Sequence, residues 1–532
     1  MVFAWREIFT CHLKRICLIY LLKYLIISTP CIRRRLTMKR LQKCSVRLTL
    51  AALMSMTASL SQATDLRSVV EKTIVSNPEV RFRFHEFRSS AEETGIGRAG
   101  YLPTVDVSYT SARENNKEPL VNYGPQVTSD FNRKGWSADL SQNLFQGFQT
   151  MNTVKQLEFG KRGKYYEFVD ASEQLGLEAT RTYLDLLRYR QLLDYAKESY
   201  GVHKGIYDQI EQKVKAGVGR RVDLEQAAGR LALSETNMIN ESSNLHDVSA
   251  RYARLIGEEP PADLAPAPAL QDKLPRDKDL LVSAVRSSPA YLAALENVRA
   301  AQSDLKVKRG AFSPTLDLRA HAEKTDNLNS VYGTHDKQSV ALVFNINLFR
   351  GGADKARLGV SAERYNSALD LRDKACRDLQ QTVRIASNDA RKLSEQMGYL
   401  RQHALSTEKA RDAYLKQFDI GQRSLLDVLD SENELYDSKR ALVNAEYDNK
   451  LAQARVLAAS GLLLPSLQLK PIEQQQFESD GDDSQRDACS TAYTPPQPFS
   501  TAGIPVHPYV STTMADAPDA AALKKTSKAV KR

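Results

Sequence analysis

The chain has 532 residues, 42% of them hydrophobic, and a formal net charge of +10. A single core rarely serves so long a chain, so we expect several domains or an internal duplication. Residues 1–63 contain eleven Lys or Arg and one acidic residue, Glu7, and therefore carry the whole net charge. Because the rest of the chain is close to neutral, the basic balance does not indicate a nucleic-acid partner.

Residues 1–63 are typical of an export leader. We expect translation to start at Met38, a basic stretch to follow, and Leu48–Leu60 to form an apolar run too short to span a bilayer. Cleavage is predicted after Ala63, where small residues alternate. The alternative is that Ile16–Ser28 forms a membrane anchor, but that stretch is also short and contains a lysine.

Only two of the six cysteines, Cys376 and Cys489, lie outside the leader. Cys376 falls in a predicted helix and Cys489 in a polar segment, so neither a metal site nor a disulfide framework is expected. Residues 466–532 are rich in Pro, Ser, Gln, Asp and Ala and show no periodicity. We therefore predict a disordered C-terminal tail.

The body of the chain repeats itself. Residues 101–106, Tyr-Leu-Pro-Thr-Val-Asp, return as residues 312–317, Phe-Ser-Pro-Thr-Leu-Asp, and residues 143–147, Asn-Leu-Phe-Gln-Gly, return as residues 347–351, Asn-Leu-Phe-Arg-Gly. The spacing shrinks by seven residues inside the second hairpin, and we expect a surface loop to absorb this difference because loops tolerate length changes.

Each repeat is predicted to contain a helix, a β-hairpin, a long helix and a shorter helix. The first repeat, 64–270, has its hairpin at 103–144, its long helix at 148–217 and its second helix at 222–257; the second repeat, 271–465, has these elements at 314–348, 352–420 and 424–461. Gly147 and Gly351 are placed at the strand-to-helix turns, and Gly217 and Gly421 at the breaks that end the long helices.

The predicted strands alternate apolar and polar residues, as Val105, Val107 and Tyr109 illustrate, which suits either a lipid-facing barrel or a soluble sandwich. The long helices carry apolar and small residues at alternating spacings of four and three, typical of a coiled-coil seam. A helix of such length extends about 100 Å at 1.5 Å per residue. Four strands cannot close a barrel, so strands that enter a membrane require an oligomer.

Residues 65–465, with their paired Leu-Phe-x-Gly turns and the segment Ile420–Asp430, resemble the TolC family of outer-membrane efflux and type I secretion proteins. The resemblance implies a mainly α protein with a small membrane β portion. In it, three protomers share a helical tunnel and complete a 12-stranded barrel. It also implies a passive exit duct in the outer membrane with a long periplasmic extension. Its partners would be a periplasmic adaptor, an inner-membrane ABC or proton-driven transporter and outer-membrane lipid.

Asp427 and Asp430 are the candidate pore-constriction residues, because they share one helix face after the Gly421 break. In a trimer with converging helix ends, they would form two carboxylate rings that attract cations. Asp427 has a second interpretation, since Ser424-x-x-Asp427 also fits a helix capping box.

The resemblance further assigns Arg423 and Asp223 to contacts between neighbouring tips, although both are equally explained as solvated surface charges. The resemblance implies a tyrosine at the position of Phe418, so the gate of this chain would be latched differently. Trp136 suits a membrane-interface belt or a core position.

The histidines are scattered without metal-ligand spacing, no nucleophile motif occurs, and the Gly95–Gly100 glycine pattern lies between a helix and a strand rather than in a dinucleotide fold. We therefore expect no enzyme, no metal and no cofactor. Two functions are carried forward: a trimeric outer-membrane exit duct for type I protein secretion or drug efflux, and a soluble periplasmic coiled-coil scaffold without a pore.

Overall fold

A computed structural model describes residues 63–119, 126–276, 279–328, 331–475, 477, 488–492, 497, 500–501 and 504. The leader predictions at Met38 and the Leu48–Leu60 run lie outside these residues. Contacts divide the chain into Met1–Thr64 and Asp65–Arg532, and all the elements described here belong to the second unit.

The same order of elements occurs twice, as the repeat predicted. The first repeat contains α1 (Leu66–Ser76), α2 (Pro78–Ala99), β1 (Thr104–Pro119), β2 (Gln126–Gln146), α3 (Gln149–Lys215) and α4 (Arg221–Ile256). The second contains α5 (Leu280–Ser287), α6 (Pro289–Gly310), β3 (Thr315–Asp326), β4 (Thr334–Asn345), α7 (Ala353–Asp419) and α8 (Leu425–Ala459), and a short helix, α9 (Leu463–Ser466), follows. A 3-10 turn at Gln271–Lys273 lies between the repeats.

Proline divides the entry helices of both repeats. Asn77 accepts a hydrogen bond from the Glu79 N–H through its side chain, and Pro78 then occupies the first turn of α2. Ser288 and Pro289 separate α5 from α6 at the equivalent position, where the Ser288 side chain makes no cap hydrogen bond. Proline suits this position because the first-turn N–H has no partner within the helix, and its ring fixes a helical φ.

The four strands form one antiparallel sheet in the order β1-β2-β3-β4. The first hairpin is longer than the second, since β1 has 16 residues and β3 has 12. The expectation that a loop absorbs the seven-residue difference was therefore wrong: the extra length continues the ladder beyond the counterpart of the last β3–β4 pair, from Asn116 paired with Ser129 to Pro119 paired with Gln126. Each added cross-strand pair satisfies backbone groups that a loop would leave to solvent.

The long helices α3 and α7 each have 67 residues and begin and end within two residues of the predicted bounds. At the first four positions of each predicted seam, 175–186 in α3 and 379–390 in α7, the side chains are buried, with Leu186 of α3 and Val383 of α7 both fully inaccessible. The helix α3 packs against α4, α6 and α8, whereas α7 packs mainly against α6 and α8. The last four positions of the α7 seam, 393–404, are only partly buried.

The largest core cluster lies where the first repeat meets the end of the second. It joins Val70 of α1, Phe87 of α2, Phe168 of α3 and Leu457 of α8, all of which are completely buried. Gly176 of α3 lies against Leu464 of α9, where an added Cβ would come within 3.0 Å of a leucine methyl. The close approach brings the C-terminal segment into this core.

The structure contradicts two expectations at the described residues of the C-terminal segment, while most of the predicted tail, 466–532, lies outside those residues. Leu467 and Leu469 belong to the main core cluster, and Phe477 packs against it, so the segment after residue 466 is ordered at these positions. Cys489 forms a disulfide with Cys376 of α7 although no disulfide was expected. Sequence separation concealed this pair, since the bond joins residues 113 positions apart.

Candidate functional site

Two turns, which follow the C-terminal ends of α3 and α7, form one end of the helical unit. α3 ends at Lys215 and α4 begins at Arg221, while α7 ends at Asp419 and α8 begins at Leu425. Gly217 and Gly421 have φ angles of +77° and +76°, and both positions face open space. This left-handed conformation ends both helices and returns the chain towards the core, as the sequence predicted. We call this region, residues 206–231 and 414–432, the tip.

A small apolar cluster holds the two turns together. Ile210 of α3, Ala227 of α4 and Leu425 and Leu429 of α8 are buried there, and Phe418 is partly buried against them. The Lys213 ammonium lies 5.5 Å from the centroid of the Phe418 ring. Phe418 therefore contributes an apolar and cation–π contact at the tip, where a tyrosine would add a hydroxyl.

Asp427 closes a capping box at the start of α8. The Asp427 N–H donates to the Ser424 hydroxyl at 3.2 Å, and the Asp427 carboxylate accepts from the Ser424 N–H at 3.2 Å and from its hydroxyl at 2.8 Å. The Ser424 side chain and backbone, and then the Arg423 charge, hold the pKa of the Asp427 carboxyl below its ordinary value. Asp427 is thus a structural cap that remains ionised at neutral pH and is 39% exposed.

Asp430 forms an ion pair with Arg230, which lies on α4 in the other repeat. The carboxyl side chain of Asp430 stays 54% exposed despite this contact. The pair links α8 to α4 across the tip within one protomer. Sequence reasoning missed Arg230, and its only signal was its place two turns after Asp223 on the same helix face. Nothing in the sequence relates it to an aspartate 200 residues away.

Arg423 lies between three groups of its own protomer. Its guanidinium carbon lies 4.3 Å from the centroid of the Tyr414 ring, its Nε donates to the Gln417 side chain at 3.0 Å, and its NH1 lies 3.8 Å from Asp427. Tyr414 was also missed, because the Gly421 turn folds Arg423 back onto α7. Asp223 lies half-buried in the first turn of α4. The predicted contacts of Arg423 and Asp223 with neighbouring tips involve a second protomer and stay predictions.

Gly147 and Gly351 begin the turns between strand and long helix, with φ angles of +57° and +61°. An added Cβ at Gly147 would lie 2.5 Å from the Gly310 carbonyl oxygen and 2.5 Å from the Ser313 Cβ, whereas at Gly351 it would meet no atom within 4 Å. The two turns are equivalent in sequence, but only the first is packed within the protomer.

Trp136 lies on β2 opposite Tyr109 of β1, and both rings are exposed, by 44% and 69%. Val107 and Leu342, on the same sheet, are similarly accessible. Within the described ranges, no helix combines the length and apolar character required to cross a bilayer. The same residues contain no group of three or more His, Cys, Asp or Glu side chains arranged to hold a metal ion.

The family model described as "Outer membrane efflux protein" matches residues 69–258 and 280–462, which is more than half of the chain. The chain belongs to the outer membrane efflux protein family. The two matched ranges coincide with the two repeats. This is a family of outer-membrane transport channels, which places the chain in the outer membrane. The alternative of a soluble periplasmic scaffold is set aside.

Individual relatives agree with the family assignment. The chain is 25% identical over 430 residues to the outer membrane efflux protein BepC of Brucella suis biovar 1, covering 80% of this chain and 92% of that protein. It is 23% identical over 463 residues to the outer membrane protein TolC of Escherichia coli K12, covering 83% and 92%.

Solved structures of the family share the fold. The CmeC outer membrane channel of Campylobacter jejuni superposes with a TM-score of 0.69 at 17% identity, covering 80% of this chain and 90% of that one. The outer-membrane channel OprN gives a TM-score of 0.67 at 21% identity, covering 75% and 90%. The predicted fold class, mainly helical with a four-stranded sheet, is confirmed.

Proposed function

We propose that three copies of this chain assemble into an outer-membrane channel that acts as a passive exit duct. The proposal rests on an asymmetry in the contacts between the two repeats. One set of surfaces on the first repeat contacts the second repeat, whereas the equivalent surfaces of the second repeat are left without that contact among the described residues of one protomer. β2 of the first repeat pairs with β3 of the second, while β1 and β4 are the free edges of the sheet. In the same way α3 packs against α6 and α8 of the second repeat, whereas α7 packs mainly within its own repeat.

The internal duplication tells which surfaces remain to be paired. If the β2–β3 contact recurs between protomers, β4 pairs with β1 of a neighbour and α7 packs against the α2 and α4 of that neighbour. Such a heterologous contact closes a ring when the rotation per protomer divides a full turn. Ring closure removes the sheet edges that lipid would otherwise leave unsatisfied.

The residues at the free edge support this pairing. Leu348 and Phe349, just after β4, are 87% and 82% exposed, while their counterparts Leu144 and Phe145 in the paired turn are 52% and 38% exposed. An apolar pair of this kind is stabilised when a neighbouring strand covers it. Three protomers of four strands give twelve, enough for an open channel, whereas a single protomer cannot close a barrel.

One side-chain contact makes the register testable. The Asn143 amide of β2 donates to the Asp317 carboxylate of β3 at 2.8 Å. The repeat counterparts are Asn347 and Asp106, and the proposal places Asn347 beside Asp106 of the neighbouring protomer. We expect the double variant Asn347→Cys/Asp106→Cys to form a disulfide between protomers under mild oxidation. The product should run at three times the chain mass on a denaturing gel without reductant.

The matched control is Asn143→Cys/Asp317→Cys, which copies the same geometry within one protomer. It should form its bond and still run at the mass of a single chain. If Asn347→Cys/Asp106→Cys yields only single chains after complete oxidation, the β4–β1 register is wrong. A product that stops at two chains would contradict the closed ring of three.

The tip is proposed to be the constriction of this channel. In a trimer, Asp427 and Asp430 place six carboxylates around one opening, and such rings favour cations over anions. Asp430 would also control opening, because its ion pair with Arg230 ties α8 to α4. Arg423, Asp223 and Phe418 complete the proposed gate, with Arg423 held by Tyr414 and Gln417 in the closed arrangement.

Single-channel recording in planar bilayers under a salt gradient tests the constriction. We expect Asp427→Asn/Asp430→Asn to shift the reversal potential towards that of a non-selective pore and to weaken block by multivalent cations. Arg230→Gln breaks the same α4–α8 link but keeps both carboxylates, so it should raise conductance while cation selectivity persists.

A charge-matched control is Glu363→Gln/Asp370→Asn, which removes two exposed carboxylates from α7 roughly 80 Å from the tip at 1.5 Å per residue. This variant should keep wild-type selectivity. If the Asp427/Asp430 variant also keeps the wild-type reversal potential and block, these carboxylates do not line the constriction. Asp427 then has only its capping role.

Transport energy is proposed to come from an inner-membrane ABC or proton-driven transporter, joined to the duct by a periplasmic adaptor. The names of relatives support export of diverse cargo: one is a proteases secretion protein of Dickeya chrysanthemi and another a cation efflux system protein, CusC, of Escherichia coli O6:H1. The Gly95–Gly100 pattern lies at the end of α2 and not in a loop between a strand and a helix, which fits a passive role.

A further inference from the structure

The helix α7 is held by its own protomer far less than its repeat counterpart α3. Of the 67 residues in each helix, twenty are buried in α3 and seven in α7. Five of those seven lie between Cys376 and Ala390, in the middle of the helix. The buried residues of α7 are therefore concentrated in its middle. On either side the helix still contacts α6 and α8, through Ser361 with Asp304 and Arg411 with Glu432, but more of its surface is exposed.

The middle of α7 is buried in a separate core cluster, to which α5 and α6 contribute. Leu281 of α5 and Tyr291 of α6 are almost fully buried against Leu379 and Val383 of α7. Cys489, from the far end of the chain, is 3% exposed and belongs to the same cluster. The C-terminal segment is thus part of the surface that holds α7.

That segment is attached at several points before it reaches α7. At its start, the N–H of Leu464 donates to the buried carboxyl group of Glu173 on α3, at 3.3 Å. Glu473 then pairs with Arg88 of α2, with an N–O distance of 3.4 Å. The N–H of Gln475 donates to the Tyr165 hydroxyl of α3 at 3.0 Å.

Phe477 continues this path across α3. The centroid of its ring lies 5.2 Å from that of Tyr165 and 6.0 Å from that of Tyr166, and the Arg162 guanidinium carbon lies 5.4 Å from it. Edge-on aromatic contacts and a cation over a ring are both stabilising. The segment therefore crosses from α2 over α3 before it meets α7.

At α7 the attachment becomes covalent. Cys489 is bonded to Cys376, the Gln380 amide donates to the Ser490 carbonyl at 2.6 Å, and the Arg384 guanidinium donates to the Ala492 carbonyl at 3.0 Å. Cys376, Gln380 and Arg384 follow one another at intervals of four, so they form a stripe along one helix face. The chain lies along this stripe rather than touching α7 at one point.

We propose that residues 467–475, 477 and 488–492 form a strap that clamps the middle of α7 to its own protomer through the Cys376–Cys489 bond. The clamp compensates for the few buried residues of α7 and fixes its position along α6. A consequence, which rests on the proposed function, is that movement of the tip has to bend α7 between Ala390 and the tip, because the clamp prevents the whole helix from sliding.

The clamp closes only where thiols can be oxidised. Bond formation removes two protons and two electrons from the Cys376 and Cys489 thiols, and a protein disulfide oxidant of the periplasm accepts them while its own disulfide becomes a dithiol. Dithiothreitol reverses the step, since it gives the two electrons and two protons back and ends as a cyclic disulfide. The strap is therefore fastened after export.

Amide hydrogen exchange of the full exported protein, purified in detergent, tests the clamp. Alkylation of free thiols before and after reduction first measures how much of the bond is present. We expect reduction, and separately Cys489→Ser, to raise exchange at least tenfold in residues 376–390 and 488–492. Residues 168–186 of α3 should keep their rate, because the strap residues that pack against α3, Leu467, Leu469 and Phe477, are held in or against the main core cluster and not by the disulfide.

Glu473→Gln serves as the matched control, since it weakens the strap at α2 and leaves the disulfide intact. It should leave exchange in residues 376–390 unchanged. The proposal is overturned if the protein isolated without reductant contains free Cys376 and Cys489 thiols, or if complete reduction leaves α7 exchange unchanged. It is also overturned if α3 and α7 lose protection equally, because the bond would then support the whole fold. The Asn347→Cys/Asp106→Cys cross-link reports on the ring independently of all these outcomes.

Discussion

Replacing Gly147 with alanine is expected to destabilise the protomer by about 2–5 kcal/mol, whereas the same replacement at Gly351 is expected to cost about 1–2 kcal/mol. Both glycines have positive φ angles, so both variants pay the strain of a left-handed alanine. Only at Gly147 does the added Cβ also collide with backbone, 2.5 Å from the Gly310 oxygen. Backbone cannot rotate away as a flexible side chain can, so the helix α3 would have to shift against α6.

The free energy of unfolding, measured by denaturant titration of protomers in detergent, checks this difference. Gly351→Ala is the matched control, because it carries the same strain in the repeat-equivalent turn. Any further loss in this control should appear only in the assembly step, since the proposed ring would cover Gly351 with a neighbour. If Gly147→Ala and Gly351→Ala destabilise the protomer equally, the Gly147–Gly310 contact contributes nothing to the difference.

Replacing Glu173 with glutamine is expected to stabilise the protein at alkaline pH by up to about 5 kcal/mol and to have little effect near pH 4. Burial raises the pKa of the Glu173 carboxyl to about 8, and the Leu464 and Leu463 N–H groups only partly oppose this shift. The unfolded chain releases the proton near pH 4.5. The folded protein keeps it until about pH 8, so the contribution of Glu173 to stability is greatest below pH 4.5 and falls as pH rises to 8.

Glutamine remains neutral throughout this range and its carbonyl can still accept from the Leu464 N–H. The Glu173→Gln variant should therefore lose much of the decline in stability between pH 5 and pH 8, while Asp170, whose pKa burial raises to about 6, retains a smaller decline. Thermal or denaturant unfolding at a series of pH values measures the slope. Glu93→Gln, an exposed site on α2, should leave the slope unchanged. A variant as pH-dependent as the wild type would show that Glu173 is ionised in the folded protein.

Local sequence patterns predicted most of the architecture. Apolar spacing in α3 and α7 gave both helices within two residues, because periodicity and glycine termination are local signals. The Ser424–Asp427 capping box was readable for the same reason, since both partners lie in one turn. The tip aspartates could be named from the sequence, but the Arg230 partner of Asp430 could not, because that pair depends on how α4 packs against α8.

The errors share one physical cause. The ordered strap, the Cys376–Cys489 bond and the extended first hairpin all depend on contacts between residues far apart in the chain. A polar, aperiodic composition predicts disorder when no partner is known, yet Phe477 and Cys489 are held by clusters built from α3, α5, α6 and α7. Composition reports what a segment can bury alone, and these residues are buried by others.

The sequence by itself determined the duplication, the helix lengths, the alternating strands and the family, because each is encoded in spacing and in motifs that recur. Only the tertiary structure decided that Gly147 is packed while Gly351 is open, that α7 is gripped at its middle, and that the chain's end is bonded there. The two repeats are alike in sequence and unlike in surroundings. Within one protomer, α3 and β2 of the first repeat contact the second repeat. The equivalent surfaces of α7 and β4 have no further repeat to contact, so they are left exposed.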